Sequence, residues 1–181
     1  MRRLLTKLAK INETLCVMAR NLAGLFLVAM IVIVIMQIFF RYVLNDSLIW
    51  TEELAKTLMV WTAFLVAPWA YRVGANVRIG FLIDEFPKKF QEMMRLMLNL
   101  LIIWIVVIFF YESFGFWQRG LTVRADSLPI QVAWFYSIVP VAFMLLLLTG
   151  IEMILRNILS LFYPAEDFEI SQVDDLNNLS N

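Results

Sequence analysis

The residues with the most chemical potential in this 181-residue chain are carboxylates set in or beside long apolar runs: Glu52, Glu53, Glu112 and Glu152. Ionisable groups at membrane depth are costly unless paired or hydrated, which makes each a functional candidate by default. Glu52 precedes Lys56 by four residues and Glu152 precedes Arg156 by four, the acid-first spacing that pairs charges along a helix. Glu52 and Glu53, with Thr51, also open an apolar run, where they can cap a helix and complement its positive end; the alternative is contact with a partner subunit. Glu112 has no opposite charge within one turn. It can be hydrated near an interface, pair with Arg119 two turns on, or meet an arginine from another helix. Gln37 and Arg41 close the first apolar run beside Phe39, Phe40 and Tyr42, and Arg41 can snorkel to the interface.

No catalytic constellation appears. With no histidine, imidazole haem ligation and the common zinc sites are excluded. The single cysteine, Cys16, cannot close an intrachain disulfide and reads as a small hydrophobe. No nucleophile has a base at useful spacing, and there is no Gly-rich phosphate loop. Fifteen cations balance fifteen anions, so no basic field suited to nucleic acid exists. The expectation is a membrane subunit that is not an enzyme and holds no cofactor or metal.

The elements that must position these groups follow from composition. Apolar and aromatic residues make up 62% and charged residues 17%, against about 45–50% and 25% for a soluble protein. Four runs, 22–40, 54–71, 96–117 and 132–155, are long enough to cross a hydrocarbon core. The first lies behind about twenty residues and lacks the small residues of a cleavage site, so it is expected to remain as a helix. The predicted fold is an all-α integral membrane protein with four transmembrane helices. Eleven of the fifteen Lys and Arg fall on the side of the termini, which places both termini in the cytoplasm.

Two segments are expected to lie as amphipathic helices on the cytoplasmic face. In residues 1–21, Leu4, Leu5, Leu8, Ile11 and Leu15 recur at helical spacing opposite Arg3, Lys7 and Lys10. The second, about 79–94, repeats the pattern through Leu82, Phe86, Phe90, Met93 and Met94, with Pro87 breaking it or starting its later helix. Residues 22–155 form the transmembrane domain, and 156–181 form an acidic cytoplasmic tail, expected to be solvated. Most of the six tryptophans lie near span ends, while Trp61 and Trp104 are deeper and are expected to pack between helices. Pro68 and Pro140 are expected to kink their spans or free carbonyls for neighbours.

Three stretches together resemble the small, DctQ-type membrane subunit of tripartite ATP-independent periplasmic (TRAP) transporters. They are QIFFRYVLN at 37–45 with SLIWTEEL at 47–54; APWAYR at 67–72 with NVRI at 76–79 and FLIDEFP at 81–87; and DSLP at 126–129 through WFYSIVP at 134–140. The family often carries His and Asp where this chain has Asn76 and Gly80. The resemblance implies a large membrane subunit that holds the substrate and sodium sites, and a periplasmic substrate-binding protein that captures organic acids such as C4-dicarboxylates or sialic acids. The small subunit would be a scaffold in the bacterial inner membrane. On that basis, and because polar and aromatic groups are dense there, Arg41, Asn45, Trp50, Glu52 and Glu53 are the candidate partner contacts. Gln37, Lys56, Glu112, Glu152 and Arg156 are the candidate intramembrane polar contacts. The competing reading is a self-sufficient small carrier or channel with Glu112 in its path.

Overall fold

A chain in hydrocarbon must satisfy its backbone polar groups internally, which a helix does within one segment. A computed structural model of the chain describes the backbone of residues 2–46, 48–83 and 87–162, and the side chains of 8–46, 48–73, 87, 90, 91 and 93–159. Its helices are α1 (Arg2–Tyr42), α2 (Ile49–Ile83), α3 (Lys88–Gly120), the single-turn α4 (Ala133–Tyr136) and α5 (Ile138–Phe162). Within them, Leu8–Tyr42, Ile49–Val73, Met93–Gly120 and Ala133–Leu159 are long and apolar enough to cross a membrane. The four expected spans are therefore present as helices.

The element boundaries differ from the sequence expectation in two places. α1 continues without a break through residues 21 and 22, because no Pro or Gly pair interrupts its ladder there. The fourth run is divided at Ser137 into α4 and α5. Pro140 therefore lies in the first turn of α5, where its missing N–H has no intrahelical partner to lose, and does not kink a continuous span. Pro68 does lie inside α2, fully buried. Pro87 is the N-cap of α3, its carbonyl accepting from the amides of Phe90 at 2.8 Å and Gln91 at 3.2 Å. The side chains of residues 1–7 and most of those in 79–92, which carry much of the two amphipathic patterns, and the tail from 163 onward, lie outside the described residues.

Packing is set by small and polar residues. On α1 the buried positions are Ala9, Asn12, Cys16, Ala19 and Ala23, alternating three and four residues apart like a coiled-coil seam. Ile11, in the apolar face expected to lie on the membrane surface, is 58% exposed. Ala19 and Ala23 pack with Leu65 of α2 and Ile138 of α5, flanked by Phe26, Trp61 and Phe64. Small side chains let helix backbones approach closely where lipid supplies no hydrophobic drive for association.

α3 packs chiefly on α5. Its buried positions, Asn99, Val106, Ser113 and Gly120, recur every seven residues. Gly150 of α5 meets Ile103, whose Cγ1 would lie 2.6 Å from an added Cβ. Phe143 of α5 stacks on Phe109 with centroids 5.6 Å apart and meets Phe64 of α2 edge-on. α2 and α5 thus form the centre, with α1 against both and α3 against α5; Tyr71 of α2 reaches α3 by donating to Asn99 Oδ1 at 2.9 Å.

At the end of α3, Gly120 admits the turn into α4: a Cβ there would lie 2.9 Å from the backbone N and Cα of Ala133. Gly120→Ala is expected to destabilise the protein by about 1–3 kcal/mol through this overpacking. Gly24→Ala, where nothing lies within 4 Å, is expected to be neutral or stabilising. Paired thermal melts in detergent measure the difference.

Candidate functional site

The connection between α1 and α2 forms the first polar concentration. Val43 N donates to Phe39 O at 2.9 Å and Asp46 N to Phe40 O at 3.2 Å, closing the helix end. Asn45 adopts φ 56°, a left-handed conformation that asparagine tolerates better than most residues, and so turns the chain toward α2. Its nomination as a contact residue therefore meets a backbone role. Trp50 is half-buried, while Arg41 is exposed, its guanidinium 5.9 Å from the Tyr42 ring centroid. Neither Arg41 nor Gln37 has a hydrogen-bond or ion-pair partner among the described residues.

The adjacent carboxylates have different roles. Glu52 accepts from Lys56 Nζ at 2.6 Å, with both side chains largely exposed. Such surface pairs contribute little. Glu53 instead reaches the connection between α3 and α4: its carboxylate accepts from Ser127 N at 3.0 Å, Asp126 N at 3.3 Å and the Ser127 hydroxyl. That connection is itself laced, with Ala125 N bonded to Ile130 O and Val132 N to Val123 O, both at 3.0 Å. Thr51 is fully buried and donates to Leu48 O at 2.6 Å, so its hydroxyl does not cap the α2 amides. Trp61 donates to Phe135 O at 2.9 Å and, with Phe26, Leu58 and Trp134, lines an open apolar cleft of about 240 Å³. The Glu53 clamp could not be read from spacing, because its partners lie 73 and 74 residues away.

The second concentration lies at the opposite end of α2. Glu152 on α5 is fully buried. Its Oε1 accepts from Arg156 Nε at 2.9 Å and Nη2 at 2.8 Å, confirming the pair expected from the four-residue spacing. Arg72 Nη2 of α2 lies 3.5 Å from the same oxygen and 3.7 Å from Glu13 Oε2 of α1. Asn12 of α1 donates to Glu152 Oε2, and its own Oδ1 lies 3.3 Å from Thr149 Oγ1 and 3.7 Å from Cys16 Sγ. Among the described residues, two guanidinium groups thus face two carboxylates in a cluster that joins α1, α2 and α5. Sequence reasoning found Glu152 and Arg156 but missed Asn12, Glu13 and Arg72. Asn12 could have been found, since it falls at a seam position among alanines.

The remaining nominated acid stands apart. Glu112 is exposed on α3 and has no partner among the described residues, and Arg119, two turns on, does not pair with it. Trp104, expected to pack between helices, is 63% exposed because it lies away from the seven-residue seam toward α5. Among the described residues, no three of His, Cys, Asp and Glu gather at metal-binding distance.

Glu152→Ala should strip the buried guanidinium groups of their shared acceptor and cost about 3–5 kcal/mol, far more than Glu52→Ala, whose ion pair is exposed to solvent. Denaturation in detergent measures both. Glu53→Ala should accelerate hydrogen exchange at the Asp126 and Ser127 amides while leaving the helical core protected. Unchanged exchange there would mean the clamp is not formed.

Residues 30–160 match the family model described as "Tripartite ATP-independent periplasmic transporters, DctQ component". The sialic acid TRAP transporter permease protein SiaT of Haemophilus influenzae is 32% identical over 160 residues, covering 84% of this chain and 25% of that protein. The isethionate TRAP transporter permease protein DctMQ of Oleidesulfovibrio alaskensis is 24% identical over 125 residues, covering 65% of this chain and 20% of that protein. The chain therefore spans only a fifth to a quarter of these two relatives. The sialic acid TRAP transporter small permease protein SiaQ of Vibrio cholerae is closer in size, 25% identical over 134 residues that cover 74% of this chain and 73% of that protein.

Proposed function

The chain belongs to the DctQ component family of TRAP transporters, and from that premise we propose that it is the small scaffold subunit of a sodium-coupled importer of organic acids. Its partners on this reading are a large membrane subunit that carries the substrate and sodium sites, and a periplasmic substrate-binding protein. The membrane is the bacterial inner membrane, with both termini cytoplasmic.

The observation that carries the proposal is the correspondence between family and fold. The matched region, 30–160, contains the α1–α2 connection, the Glu53 clamp and the α2 and α5 members of the Glu152 cluster, while Asn12 and Glu13 of α1 precede it. The size relations add support: SiaT and DctMQ are permease proteins of which this chain matches a quarter and a fifth, leaving ample chain for a large subunit. The names of the relatives support an anionic cargo, with sialic acid and isethionate both represented.

The mechanism follows from rigidity. A subunit that moves during transport needs an interface able to slide or hinge. Here α1, α2 and α5 are tied by the Glu152 cluster, and α2 is tied to the α3–α4 connection by Glu53. About 28 Å of helix separates Glu53 from Arg72 along α2, close to the thickness of a hydrocarbon core. A body fixed near both membrane surfaces suits a fixed wall against which a partner moves. The loop end, with Arg41, Trp50, Glu52 and the clamped connection, then faces the periplasm and helps seat the binding protein. The alternative of a self-sufficient carrier using Glu112 has less support, since that side chain lies on the outside of α3 and not between helices.

Proteoliposomes holding this chain, the large subunit and the binding protein should accumulate sialic acid or a C4-dicarboxylate under a sodium gradient. Omitting this chain should abolish uptake. Undiminished uptake without it would overturn the proposal, and flux through this chain alone that Glu112→Gln abolishes would support the carrier reading instead.

A further inference from the structure

The outward face of α3 differs chemically from the aliphatic outer face of α1 around Val28. Glu112 lies about 12 Å along the helix from Gly120, inside the apolar run, and is exposed with no partner among the described residues. A carboxylate pointed into lipid at that depth is unfavourable, and such groups ordinarily face a protein or water-filled interior and pair. On the same side, Trp104 is 63% exposed near the middle of the span, its indole N–H unbonded among the described residues. Indoles left to lipid favour the interface instead.

Geometry adds a third feature. Taking 100° per residue, Trp104, Ile108, Tyr111, Glu112 and Gly115 fall within about 100° of arc, away from the seam toward α5. Gly115 has nothing within 4 Å of the position of an added Cβ, so another backbone can approach closely there. The outer face of α1 offers a contrast. Leu25, Val28, Ile31, Val32 and Ile35 are exposed and purely aliphatic, which suits lipid.

We propose that this α3 face is the docking surface for a membrane-spanning helix of the large subunit, which presents a lysine or arginine to Glu112. The proposal rests on the reading of this chain as the small subunit and adds which surface carries the contact. A cation satisfies Glu112 at depth, an acceptor on the same helix takes the Trp104 indole proton, and Gly115 sets the point of closest approach. α1 is left to lipid.

The test uses the intact complex in membranes, with a photoreactive amino acid replacing Ile108 on α3 or Val28 on α1. Crosslinking to the large subunit is expected from position 108 and not from position 28. Crosslinks from 108 only to a second copy of this chain, or to no protein, would overturn the proposal. In parallel, Glu112→Lys should lower the large subunit recovered with this chain about tenfold or more, with Glu112→Gln intermediate. A reversed charge at one Lys or Arg of the large subunit should restore it. Unchanged recovery of both variants would overturn the cation contact. The crosslink is read with native Glu112, so misfolding of a variant cannot mimic its result. If the wild-type chain recovers the large subunit but crosslinks to it only from α1, the surface is wrong and the small-subunit reading stands; if it recovers none, that reading fails and the proposal with it.

Discussion

Helices already in hydrocarbon gain nothing by hiding leucine from lipid, and the rest of this structure depends on that constraint. What can hold them together is close backbone approach and polar groups that have no other place to bond. The protein uses both. Ala9, Asn12, Cys16, Ala19 and Ala23 form the buried stripe of α1, and Gly150 brings α5 against Ile103 of α3. The larger aliphatic side chains point outward, the inverse of a soluble bundle, with Leu25, Val28 and Ile35 each around 60% exposed.

Close packing by small residues leaves helices free to slide, and the polar clusters restrict that freedom. Glu152 gives α5 a fixed register against α1 and α2, because its oxygens are shared among Arg156, Arg72 and Asn12. The net stability such buried ion pairs add is limited, since desolvation offsets much of their attraction, while removing one partner leaves a buried charge unpaired. Glu53 does the corresponding work at the other end, where one carboxylate accepts two amides and a hydroxyl from the α3–α4 connection. Glu52, its neighbour in sequence, pairs only with exposed Lys56. Two adjacent glutamates thus differ because successive positions on a helix point about 100° apart.

On the proposed reading as a scaffold subunit, these features serve a common purpose. Internal polar locks keep the outer surfaces of the described helices in fixed relation. The surfaces themselves then divide by chemistry. Aliphatic side chains on α1 suit lipid, and the polar and aromatic groups around Glu112 suit a protein helix.

Much of the fold was legible in the sequence, because twenty apolar residues in succession have few alternatives to a membrane helix. The four spans, the role of Pro87 at the start of α3 and the Glu152–Arg156 pair all follow from local spacing. The buried stripe of α1 left a fainter trace, since in lipid small residues such as Ala19 and Ala23 mark the interior and leucine does not. Trp104 and Pro140 were misplaced for related reasons: depth along a span does not reveal which side of a helix is covered, nor where a helix restarts. By itself the sequence determined which segments become helices, through hydrophobicity and backbone bonding that act within about twenty residues. Only the tertiary structure decided that Glu152 would be shared by three helices and Glu53 spent on a distant loop, while Glu112 stayed outside. Those outcomes depend on which helix faces meet, and contacts 73 to 140 residues apart leave no periodic trace in the chain.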